Sequence, residues 1–304
     1  MPAFFQTGEF YSAACALTWA VAVILFRKSG EHIPPVALNL WKGTLGLLLF
    51  VLSMLLLGRP FSPPEASLSD WLLLLGSGAL GIGIADSLFF SALNCLGAGR
   101  LAIVDCLYSP LVLVCSMVYL AEPIGSWLLP GMALMVMAIL VGTLQRDRTG
   151  ASERVTRDTR GALRMGVLLG VLSQVFMAIG IVAVKPVLNH SEIWWATTVR
   201  LAGGVAFLAV QGLLPANRAA VRACFRPSRV WRVSVPAALV GTYLSLLLWL
   251  LGMKHTTTTT ASVLNQLSTI FVIILATLFL REKLTWRKAV AVVLGFGGGI
   301  LAAC

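Results

Sequence analysis

Apolar residues run along this chain in blocks of about 17–23, and polar residues gather in the short stretches between them. Blocks of that length cross the hydrocarbon core of a bilayer as helices. Ten can be placed, at 10–26, 36–57, 71–93, 101–121, 126–144, 165–184, 193–214, 233–251, 258–280 and 286–303. The separators include "RKSGEHIPP" at 27–35 and "GRPFSPPEASLSD" at 58–70. The longest is "QRDRTGASERVTRDTRGALR" at 145–164, which joins the two halves. The expected fold is all-α and integral to the membrane, with a first repeat at 1–145 (spans one to five), a cationic linker loop at 146–164 and a second repeat at 165–304 (spans six to ten).

The halves resemble each other. "YLAEPIGSW" at 119–127 and "FLREKLTWR" at 279–287 each follow a long apolar run and precede a glycine-rich one. Sliding the second half back by about 157–160 positions sets Lys28 on Lys185, His32 on His190, Gly46 on Gly204, Gly83 on Gly241, Ala102 on Ala261 and Glu122 on Glu282. It also sets Lys42 on Arg200, each inside an apolar segment. Five spans is an odd number, so the second copy enters the membrane the other way up. An inverted-topology repeat of this kind is common in secondary transporters and places a cavity at the repeat interface.

Composition agrees: apolar residues make up 58% of the chain and charged ones 12%, against about 25% charged in soluble domains. Mean hydropathy is +0.90. The net charge of +11 raises nucleic acid as a partner, but the basic residues sit in short loops without interleaved aromatics, which fits loops held at the cytoplasmic face. The six cysteines form neither CxxC nor Cys/His spacing and read as small core residues. No metal or other cofactor is called for. "GSGALGIG" at 76–83 looks like a phosphate-binding loop but lacks the lysine and lies in an apolar run. Close helix packing explains it better, and "GFGGG" at 295–299 with it. Pro110 in span four is expected to kink its helix.

Basic residues set the orientation. Counted over the odd-numbered loops and their margins, 18 of the 23 Lys and Arg lie on one side, against Arg59, Lys185 and Lys254 on the other. That bias puts the odd loops in the cytoplasm and both termini outside.

Four ionisable residues remain within spans: Lys42, Asp86, Asp105 and Arg200. A charge near the bilayer centre costs at least about 2.5–3.5 kcal/mol, so each needs a reason. Lys42 is roughly 9 Å into span two at 1.5 Å per residue, and both aspartates lie near the same face. Lys42 can therefore pair with Asp86 or with Asp105. Arg200 has no acid in its own half, and Glu192 at the mouth of span seven is about two turns back. A guanidinium facing a cavity suits a carboxylate or phosphate. Two readings stand beside each other for Lys42 and Arg200, snorkelling to the interface and lining a cavity. Asp105 reads as a helix cap or as a coupling group. Asp86 reads as a proton-coupling or ammonium-binding group or as a structural ion-pair member. Trp41, Tyr108, Asn265 and Gln266 are the polar or aromatic neighbours expected to contact a substrate, although interhelical bonding is the commoner use of a buried amide.

These features resemble the ten-span EamA-type members of the drug/metabolite transporter superfamily over almost the whole chain. The resemblance rests on Trp19 in span one, on Lys42 and Arg200 early in spans two and seven, and on the two turns quoted above. It rests also on "LAIVDCLYSP" at 101–110 and its partner "TASVLNQLST" at 260–269, where Thr269 replaces the usual proline. It implies a pseudosymmetric bundle around a central cavity in the bacterial inner (plasma) membrane. It also implies substrates among amino acids, sugars, nucleotide-linked compounds and drugs, mostly exported. Similar proteins keep both termini in the cytoplasm, the reverse of what the loop charges here favour. The expected function is secondary transport of a small polar metabolite by alternating access, with protons as a candidate coupling ion and with a monomer or homodimer as the unit. The alternative is a lipid or lipid-linked carrier flippase. A membrane-embedded enzyme would need catalytic residues clustered at one depth, whereas His32, His190 and His255 are all placed in loops.

Overall fold

The computed structural model describes residues 8–63, 65–120, 127, 130–131, 133–134, 137–138, 141, 156–256, 258–282 and 285–303. Among them the secondary structure is helical throughout. We number the helices α1 (Gly8–Gly30), α2 (Pro35–Leu56), α3 (Leu68–Leu96), α4 (Ala98–Leu120), α5 (Thr156–His190), α6 (Ile193–Leu213), α7 (Pro215–Cys224), α8 (Trp231–His255), α9 (residues 258–279) and α10 (Trp286–Ala303). Seven of these, α1 to α6 and α8, are long and apolar enough to cross a membrane, and Leu267–Phe279 within α9 is a shorter apolar helix. Large apolar side chains such as Leu56, Val118 and Leu278 are exposed on the outside of the bundle, as lipid-facing residues must be where tails replace water. Expected span five, Glu122 and the linker up to residue 155 lie largely or wholly outside the described residues.

Two pairs of irregularities repeat at one interval. α3 widens into π-helix at Ala79–Ala85, and α8 does so at Leu239–Ser245, 160 positions later. α4 breaks at Cys106–Leu107, between Ala98–Asp105 and Tyr108–Leu120; α9 breaks at Gln266, between Thr258–Asn265 and Leu267–Phe279. The second half holds two more residues than the first between Lys42/Arg200 and these features. Gly241 therefore corresponds to Gly81 and not, as the sequence alignment had it, to Gly83.

The breaks have local causes. Pro110 has no N–H to return to the Cys106 carbonyl four residues back, and that carbonyl accepts instead from Gln266 Nε2 of the other half at 2.9 Å. The kink expected at Pro110 is thus a break one turn earlier. Around it the contacts come in matched pairs. Ser109 Oγ meets Ser262 Oγ at 3.1 Å, while Thr269 Oγ1 donates to the Ala102 carbonyl at 3.2 Å. At the ends of the π segments, Ser173 Oγ donates to the Ala85 carbonyl at 2.8 Å and Cys15 Sγ to the Ser245 carbonyl at 3.3 Å. Backbone groups freed in a membrane must find partners, and here the other repeat supplies them.

Packing crosses between halves: α1 lies on α8 and α9, α5 on α3 and α4, and α2 on α6. Glycines set the approach. A Cβ on Gly78 would lie 1.7 Å from the Arg200 carbonyl oxygen, and one on Gly203 would lie 2.2 Å from that of Leu75. The glycine run at 76–83 is therefore a helix-packing surface. The turn after α9 also serves the other half. Glu282 accepts from the Ala98 and Gly99 amides at 2.9 and 3.1 Å and pairs with Lys288 at 3.2 Å, capping α4. Gly97, at φ +78°, and Gly99 leave the space that this carboxylate fills. Lys185, expected in a loop, lies inside α5, which runs on to His190, and its Nζ donates to the Met253 carbonyl.

Candidate substrate cavity

A cavity of about 130 Å³ lies where the broken helices α4 and α9 meet the π segments of α3 and α8. Lys42, Asp86, Asp105 and Arg200 all line it, together with Tyr108, Asn265 and Gln266. Seven of the eight residues expected at the site are thus brought together.

Lys42 and Arg200 are each the eighth residue of their helix, α2 and α6. The register on the bundle-facing side turns both inward, with 3% and 1% of their surfaces exposed. Snorkelling to the interface is therefore not what they do. Their partners differ. Lys42 Nζ forms a 2.6 Å ion pair with Asp86 and lies 5.4 and 5.8 Å from the ring centroids of Phe90 and Phe26. Of the two acids the sequence offered, Asp86 is the one taken, and the lysine's charge is met. Arg200 donates from Nε to Ser77 Oγ at 3.2 Å and stands 5.1 Å from the Trp249 ring centroid. Its Nη1 and Nη2 are buried with no hydrogen-bond partner, and among the described residues no carboxylate pairs with it. Glu192 is occupied at the start of α6, accepting from the Trp195 amide at 2.9 Å. Gly81 makes room for the guanidinium, since a Cβ there would lie 2.8 Å from Nη2.

Asp105 does not start a helix. It ends the first half of α4, where the helix dipole gives an acid no support, so the capping reading is corrected. Its Oδ1 accepts from Gln174 Nε2 at 2.5 Å. The two aspartates are thus distinct: one neutralised by a cation, one held by a neutral amide.

Four further unpartnered buried atoms belong to the cavity wall. Tyr108 Oη, Thr242 Oγ1, Asn265 Oδ1 and Gln266 Oε1 lack a partner and belong to cavity-lining residues. Each such group left unmet costs about 1–3 kcal/mol, which a polar ligand or water would recover.

Trp41 is the exception. It is buried against Trp231 and Phe225, with ring centroids at 4.4 and 5.3 Å, and is not among the cavity's lining residues. Successive helical residues project about 100° apart, so a residue beside Lys42 in sequence faces elsewhere. Sequence reasoning missed Gln174, Ser77, Thr242 and Trp249. Gln174 carried a signal, since it is a lone amide in the apolar run of span six.

A helical membrane bundle with discontinuous helices meeting at a buried polar cavity has the architecture of a solute transporter. The model of the EamA-like transporter family matches residues 6–144 and again 164–304, so the chain belongs to this family of membrane transporters and carries its repeat twice. A solved structure titled "Crystal structure of protein" matches with a TM-score of 0.69 over 97% of this chain and 96% of that chain. The two are 16% identical in sequence, and the likeness is one of fold. Comparison with proteins of curated function gives no match.

Proposed function

We propose that this protein is a secondary active transporter for a small polar metabolite bearing a carboxylate or phosphate. Its ten spans form two inverted five-span repeats that rock about the cavity, with both termini outside. One observation carries the substrate class: Arg200 is buried in the cavity wall with two unpartnered guanidinium nitrogens. Such a fork matches the paired oxygens of an acid group. Tyr108, Asn265 and Gln266 would hydrogen-bond the rest of the molecule. Lys42 with Asp86 supplies a neutral wall.

Asp105 is the group proposed to exchange a proton during the cycle. Asp86 is paired with the Lys42 ammonium at 2.6 Å, whereas the hydrogen-bond partner of Asp105 is the neutral Gln174 amide, which leaves its carboxyl without a paired cation among the described residues. Proteoliposomes test this reading. Counterflow of labelled organic acids should be lost in Arg200→Gln while the protein still folds, and transport unchanged in that variant would sink the proposal.

A further inference from the structure

Between α6 and α8 the chain folds into a short amphipathic helix, α7, whose buried side is already committed. Cys224 is buried, and Ala220 and Val221 pack on the same core as α2. Trp231 Nε1 donates to the Cys224 carbonyl at 3.1 Å, and Trp41 of α2 packs against Trp231 in a tilted pair and edge-on against Phe225. The segment is therefore fixed to the bundle at Trp41, the residue that precedes Lys42 in α2.

Its outer side has a different chemistry. Arg218, Arg222, Arg226, Arg229 and Arg232 are all exposed, and residues 215–232 hold no acid. None of the five forms an ion pair among the described residues. Leu213, Leu214 and Phe225 are exposed among them, at 71%, 53% and 38%. Bare guanidinium groups with exposed apolar anchors, on a helix beside the ends of two membrane spans, suit the headgroup layer, where the anchors reach acyl chains and the arginines meet phosphates. A surface reading nucleic acid would have no use for those leucines.

We infer that α7 and the turn after it form a binding site for anionic phospholipid headgroups in the leaflet that α7 faces. Through the Trp41 ring contacts, an occupied site also steadies α2. The inference does not depend on what the cavity transports.

The test is native mass spectrometry of the full-length protein released from micelles holding phosphatidylglycerol or phosphatidylcholine. The quadruple variant Arg218→Gln, Arg222→Gln, Arg226→Gln, Arg229→Gln should retain phosphatidylglycerol at least tenfold less well than wild type, since it removes four of the five cations offered to the headgroup phosphates. The matching Arg→Lys quadruple should keep most of the binding and serves as the check on folding. A control quadruple in the linker, at Arg146, Arg148, Arg154 and Arg157, should bind like wild type. Equal loss in the α7 and linker Gln variants would reduce the effect to bulk charge and overturn the site. Retention unchanged in the α7 Gln variant would overturn it too, as would displacement of the lipid by millimolar inorganic phosphate or by an RNA oligonucleotide.

Discussion

Arg200 and Lys42 stand at matched places in the two repeats and meet their charges in opposite ways. Breaking a buried pair by removing one partner leaves an uncompensated charge and costs about 3–5 kcal/mol, whereas replacing both members with apolar groups is often neutral. Lys42→Ala should therefore lower the melting temperature sharply, and Lys42→Met with Asp86→Leu should restore most of it, as read by thermal unfolding in detergent. Arg200→Gln removes a charge with no acidic partner, so its fold should survive with its melting temperature close to wild type while its transport fails. Arg200→Lys should recover transport only weakly, because an ammonium lacks the fork. Asp105→Asn should keep exchange of substrate for substrate but lose the dependence of net flux on an imposed pH gradient. Unaltered pH-driven flux in that variant would remove Asp105 from the coupling step.

At the scale of elements, the membrane helices and the twofold repeat were legible, because long apolar runs and paired motifs are strong signals. The breaks in α4 and α9 were not. Hydropathy does not register a lost hydrogen bond, and only Pro110 marked the first of them, one turn away. The π segments of α3 and α8 left no trace beyond their glycines. Trp41 was misplaced because nearness in sequence stood in for a shared helical face. Glycine packing offers a direct check. Gly203→Ala would drive a methyl group into the Leu75 backbone and should destabilise the bundle by about 1–3 kcal/mol. Gly297→Ala meets nothing within 4 Å and should be neutral or slightly stabilising. Gln266→Ala should loosen the crossing of α4 and α9 by freeing the Cys106 carbonyl, with a loss of about 1–3 kcal/mol.

Over the whole molecule the two repeats agree in backbone and differ in charge. They share π segments, breaks and crossing contacts, yet only the first contributes aspartates to the cavity, and it uses one of them against its own lysine. The surface charge is just as uneven, with most cations in the odd-numbered loops. That distribution predicts that an N-terminal epitope tag is reached by antibody in intact spheroplasts, whereas a cysteine placed at 229 is labelled only after permeabilisation. The reverse pattern would put the termini in the cytoplasm.

The central claim, that the unpartnered guanidinium selects the substrate's acid group, meets its most direct test in ligand-induced stabilisation. Purified protein would be melted against a panel of small carboxylates and phosphate esters with their neutral amide and alcohol counterparts. A ligand that binds only the folded state raises the melting temperature by mass action. The account predicts that stabilising compounds come from the acidic half of the panel and that their shifts vanish in Arg200→Gln. Shifts from the neutral half, or acid shifts that persist without the guanidinium, would contradict it.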